Sequence, residues 1–205
     1  ISSFFLGFIF GENSAGGGTF RGDAKHTWDN LQNFLNNDLI TAIHLTTSLD
    51  PEIYVSNRTP LLYILHKLLN PFVYNKEVFL RSVFIISLSL PILFFICLKE
   101  KFKKHENLLL ILISSTVLLS PYFRTSAFWG REENFGLITM LISFIFLNQF
   151  LENKENLLKS YIQLFLSVLF SAVTLYFDQK LVIIPLICFF KIILCDKHFK
   201  FKIFS

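Results

Sequence analysis

The sequence predicts an all-α, polytopic membrane protein with about six transmembrane helices and a long outward first loop that contains interfacial helices. Three observations carry this prediction. Hydrophobic residues make up 53% of the 205, with 26 Phe among them, above the roughly 45–50% of an average soluble domain. Polar residues are segregated, so that long charge-free runs alternate with short charged connectors. The Lys and Arg residues also divide unevenly between alternate connectors.

The chain opens inside an apolar run without a Met and stops just after a basic stretch. It is read as a single transmembrane domain, a fragment truncated at both ends, with 1–10 the end of a first span rather than a signal peptide. A long segment, 11–77, follows. Within it GENSAGGG is a glycine hinge; no GKS/T follows it and no strand precedes it, which excludes a phosphate-binding loop. Residues 23–37 place Trp28, Leu31 and Leu35 at helical spacing, an amphipathic surface helix. The stretch 59–71 starts with Thr and Pro at helix-opening positions and stops at Asn-Pro. It is too short to span and fits a helix lying in the interface. TSLDPEIYVSN, between the two, reads as irregular. Five further spans occupy 78–98, 108–123, 135–151, 157–177 and 181–195, and 196–205 is a tail.

These spans put 99–107, 152–156 and the tail on one side, and 11–77, 121–134 and 176–180 on the other. The first side collects ten Lys and Arg, counting Lys159 and Lys191, against five Asp and Glu; the short connectors of the second collect three. Positive-inside places the first side in the cytoplasm. Three unusual polar segments therefore face outward together.

Several residues there have the chemistry of a site. Asp23 opens the first surface helix, either as an N-cap or as a general base at the lipid–water boundary; Glu12 and Asp29 are alternative carboxylates. In SPYFRTSAFWGREENFG, Glu132 and Glu133 begin a span, where the helix dipole stabilises anions. Arg124 and Arg131 are either interfacial anchors beside Tyr122, Phe123 and Trp129 or guanidiniums for a phosphate-bearing substrate. Asp178 and Lys180 sit in a very short turn, where Lys180 either snorkels or reaches a lipid phosphate. The five His residues form no ligand pattern. Cys97, Cys188 and Cys195 read as buried free thiols, and Asn57-Arg58-Thr59 is a chance sequon. No spacing indicates a metal set, although a pair of carboxylates leaves a divalent metal open. The KEKFKKHE connector lacks stacking side chains, so no nucleic-acid partner is expected.

The order of these parts resembles the membrane glycosyltransferases of the C-type fold, most closely the branch of protein O-mannosyltransferases and the aminoarabinose transferase of lipid A. Asp23 stands where the branch has an acidic motif, with Ala24 in place of a second acid. Arg58-Thr59-Pro60-Leu61-Leu62-Tyr63 corresponds to a His-Pro-Pro-Leu-x-Tyr-like segment, and Leu80-Arg81 opens the next span. Glu132 or Glu133 ends the loop after the third span, and Phe177-Asp178-Gln179-Lys180 matches a Leu-Thr-Lys-Gly-Pro-like segment without its Gly-Pro. The resemblance covers the amino-terminal half of such an enzyme. It implies transfer of a sugar from a polyprenyl-phosphate lipid to a hydroxyl of a glycan, lipid or protein, outside a bacterial inner or plasma membrane. It further implies Asp23 as the base, Glu133 as an orienting carboxylate, and Lys180, Arg124 and Arg131 as ligands of the donor phosphate, with Glu132, Asp29, Glu12, Arg58 and Asp178 as secondary candidates. A transporter or flippase for a lipid-linked sugar is the other class. Charge-free span centres and the missing hydropathy repeat count against it. A polysaccharide polymerase or ligase is nearer in chemistry.

Overall fold

The structure, a computed structural model, describes residues 2–11, 18–47, 60–69, 73–152 and 157–193. Among them the regular elements are all helices: α1 (Ser2–Ile9), α2 (Gly18–Asn36), α3 (Leu39–Thr47), α4 (Leu61–Leu69), α5 (Lys76–Ser87), α6 (Ser89–Lys101), α7 (Asn107–Ser115), α8 (Pro121–Trp129), α9 (Glu133–Glu152), α10 (Leu157–Phe177) and α11 (Ile183–Ile193). Short 3-10 turns, Thr116–Leu119 and Gln179–Val182, follow α7 and precede α11.

Among the described residues three helices are long and apolar enough to cross a membrane: α5 running into α6, α9 and α10. A fourth exists only if α7 and α8 count as one bent span. That is fewer than the six expected, and the reasons are local. The apolar run 108–123 does not stay straight: Ser120 takes an extended conformation, Pro121 supplies no N–H to continue the helix, and the chain turns by 64°. The run 181–195 opens as a 3-10 turn, and α11 has 11 residues among those described. Pro91 also marks α5–α6. It cannot return an N–H to Ser87, and the helix changes register at Leu88, whose N–H is shared by Phe84 and Ile85 at 3.3 and 3.1 Å. Outside the bundle, Ile85, Ile92, Phe165 and Phe189 stand exposed, as side chains facing hydrocarbon do.

The first loop holds three described helices rather than two. α2 starts at Gly18, so Asp23 lies in its second turn and is not its N-cap. α3 was not anticipated; Asp38 opens it by accepting the Thr41 N–H at 3.0 Å. α4 begins after Pro60, whose carbonyl accepts from Ile64 N–H at 3.1 Å. Lys67 of α4 donates to the Phe34 and Asn37 carbonyls at 2.6 Å each, satisfying acceptors left open at the end of α2. Asn30 donates to the Tyr63 hydroxyl at 3.4 Å, and the Phe34 and Tyr63 rings stack. The hinge at 12–17 and the stretch 48–59 lie outside the described residues.

The loop helices cover one end of the bundle. Leu31, Phe34, Leu62 and Tyr63 bury against Phe79, Val83 and Phe177, with Phe135 packed alongside. A second core joins Phe4 of α1 to Phe84, Phe123 and Phe128. A third cluster runs along α9 and α11, with Leu147, Phe150, Ile184 and Cys188 buried in it. Between α9 and α10 small hydroxylated residues allow close approach: Thr139 and Thr174 share a hydrogen bond of 3.0 Å, and Ser143 donates to the Ser167 carbonyl at 2.8 Å.

Candidate functional site

The start of α5, the α8–α9 corner and the end of α10 meet under the loop helices. The corner is built from its sequence. Ser120 accepts the Phe123 N–H at 3.4 Å and Pro121 follows at the first helical position, so α8 starts there. Gly130 ends it at φ +69°, a conformation that favours glycine. A Cβ there would also lie 2.8 Å from Phe79 Cε1. Beyond it the chain is tied back by Ser126, which donates to the Arg131 carbonyl at 3.1 Å and accepts the Asn134 N–H at 3.0 Å. The buried Asn134 amide donates to Ser87 Oγ at 3.0 Å and the Phe123 carbonyl at 3.1 Å. These bonds fix where Arg131 and Glu133 point.

Arg131 and Glu133 form an ion pair with side chains only 19% and 6% exposed. Glu133 Oε2 is sealed from solvent and accepts no hydrogen bond among the described residues. Such an oxygen is costly unless a donor reaches it. Glu132 is buried beside it, its carbonyl accepting from Phe135 and Gly136 N–H at 3.0 and 3.1 Å.

The turn after α10 meets this corner because residue 136 is glycine. A Cβ at Gly136 would stand 3.1 Å from Leu181 Cδ1 and 3.4 Å from Asp178 Cβ. Buried Asp178 caps the 3-10 turn through the Lys180 N–H at 3.0 Å. Its other oxygen accepts a hydrogen bond from the Tyr122 hydroxyl. Lys180 is exposed, with Nζ 5.6 Å from the centre of the Tyr122 ring, within cation–π range. The Glu133 and Arg131 charges act on the same phenol. Tyr122 thus joins the two charged groups.

Arg124 is not in this cluster. Two residues along α8 from Tyr122, it faces the other way, its guanidinium at 5.7 Å from the Phe128 ring centre and 3.5 Å from the Ser3 carbonyl. Asp29 is exposed on α2. α2 packs against α8, which brings the helix carrying Asp23 to this end. The Asp23 side chain, Glu12 and Arg58 lie outside the described residues. Among those described, no three His, Cys, Asp or Glu side chains converge as a metal-ligand set.

Sequence reasoning missed Tyr122, Ser126 and Asn134. A signal existed: Ser-Pro before and Gly after bracket a nine-residue helix, which puts Tyr122 and Ser126 on its turns. His66, one of the five His residues without a ligand pattern, is 3% exposed, edge-on to Phe79 and Phe135 at 4.9 and 5.7 Å. Burial pulls its pKa down to about 4, so it is neutral at physiological pH. No family model, curated protein or solved structure matches the chain.

Proposed function

We propose that the protein is a membrane glycosyltransferase, moving a sugar from a polyprenyl-phosphate donor to an acceptor hydroxyl on the extracytoplasmic side with inversion. The observation that carries this reading is the convergence of Tyr122, Arg131, Glu133, Asp178 and Lys180 at one end of the apolar bundle, beneath the helices of the first loop. Helix termini at this level lie where the phosphate of a membrane lipid lies. The count of basic residues in short connectors assigns this end to the outside.

In this reaction Asp23 takes the proton of the acceptor hydroxyl. The acceptor oxygen attacks the anomeric carbon as the bond from that carbon to the phosphate oxygen breaks. The bonding pair leaves with the oxygen, giving free polyprenyl phosphate and a glycoside of opposite anomeric configuration. Lys180, exposed and held over Tyr122, is the cation placed to take up the charge developing on the leaving phosphate. Arg131 supports it from the buried pair, and Glu133 Oε2 is an acceptor for a hydroxyl that enters.

The test is release of free polyprenyl phosphate by membranes carrying the protein, given polyprenyl-phosphate sugars and an acceptor extract. Release is expected with at least one donor and is abolished by Asp23→Asn at unchanged membrane insertion. No release with any donor, or a fully active Asn variant, contradicts the reading.

A further inference from the structure

The opposite end of the bundle holds a cleft of about 280 Å³ between α6, α9 and α11. Its walls share one pattern. Lys101 stands on α6, Asn148 on α9 and Lys191 on α11, each near the end of its helix. On two of these helices the residue four positions earlier, one turn or about 5.4 Å deeper, is a large apolar side chain lining the cleft: Phe144 on α9 and Ile187 on α11. Leu147 closes the inner wall. The cleft is therefore cationic and amide-bearing at its rim and apolar inside.

Among the described residues the rim charges are uncommitted. Two carboxylates at this end are engaged elsewhere, Glu152 with Lys103 and Glu100 with the Gln149 amide at 2.7 Å. Neither Lys101 nor Lys191 has a hydrogen-bond or ion-pair partner among the described residues, and no Asp or Glu lines the cleft. Two cations over an apolar groove between two membrane-length spans, α5–α6 and α9, and the apolar α11 complement one kind of molecule: a lipid with an anionic head and an acyl tail.

We propose that this cleft binds one anionic phospholipid, its phosphate between Lys101 and Lys191 and an acyl chain against Phe144, Leu147 and Ile187. The site lies at the far end from the charge cluster and stands whether or not the protein transfers sugars.

The test is native mass spectrometry of the protein in mild detergent, titrated with dioleoylphosphatidylglycerol or dioleoylphosphatidylcholine. One phosphatidylglycerol is expected to stay bound under conditions that strip phosphatidylcholine. Replacing both lysines (Lys101→Ala with Lys191→Ala) should weaken its binding about tenfold or more. Lys104→Ala, at the same end but outside the cleft, should change it less than about twofold. Ile187→Trp, which fills the groove and leaves the lysines in place, should also displace the lipid. Equal retention of both lipids, an unaffected double variant, or an equal loss with Lys104→Ala would overturn the proposal, the last because it marks diffuse attraction rather than a site.

Discussion

At the α8–α9 corner the Arg131–Glu133 side chains are 19% and 6% exposed, whereas at the opposite end Lys103 and Glu152 pair at 65% and 51% exposure. The same chemical pairing does different work in the two places. At the far end, water and salt screen the charges, and the pair adds little to stability. At the corner the pair is largely withdrawn from water, so its attraction is screened far less and neither partner can be removed without stranding the other. The buried end also joins its charges to a hydroxyl, a capped turn and a glycine contact. The exposed end spreads them over a rim. A buried ion pair joined to fixed geometry in this way makes the corner the candidate for chemistry.

The contrast predicts a ranked series of effects. Arg131→Met strands Glu133 as an uncompensated buried carboxylate and should cost about 3–5 kcal/mol of stability. Adding Glu133→Gln should recover most of it, measured as a double-mutant cycle by denaturant unfolding in detergent. If the single variant unfolds like wild type, the pair is not buried in the way described.

A second effect is set by pH. His66 has a pKa of about 4 when folded against 6.5 ordinarily, so between these values the unfolded chain holds a proton that the folded one lacks. Stability is then complete above about pH 6.5 and falls as pH drops towards 4, by about 3 kcal/mol in all. Thermal unfolding of the loop helices across this range should show the loss, and His66→Phe should flatten it. An unchanged slope in the Phe variant would assign the pH dependence to another group.

Smaller effects come from the corner's backbone and its phenol. Gly130→Ala forces a β-carbon into a left-handed position beside Phe79 and should cost about 1–3 kcal/mol. Tyr122→Phe removes the donor to buried Asp178 and should cost about 1–3 kcal/mol. The smallest effect should be Lys103→Ala, below about 1 kcal/mol. A cost there equal to that of Arg131→Met would erase the distinction between the two ends.

Much of this was legible in the chain. Hydropathy found the three long helices, and the alternation of spans put 121–134 and 176–180 on one side, where Tyr122 meets Asp178. Hydropathy is blind to direction, however. The run 108–123 stays apolar through a 64° turn made by Ser120 and Pro121. Arg124 and Arg131 look equivalent in the sequence, yet the face of α8 and the turn at Gly130 send one to α1 and the other to Glu133. Tyr122 looks like any interfacial aromatic until the short turn after α10 brings Asp178 to it, a contact between residues 56 apart. Pairings of that range depend on packing, and local spacing does not encode them.

The most direct test compares the two ends through the reaction itself. Donor-dependent release of polyprenyl phosphate would be measured for Lys180→Ala and Lys103→Ala against wild type, at matched insertion. The donor KM should rise about tenfold or more in Lys180→Ala, as expected for loss of a charge-assisted phosphate contact, and stay unchanged in Lys103→Ala. Equal donor kinetics in both variants would contradict a donor site at the Tyr122–Asp178–Lys180 end.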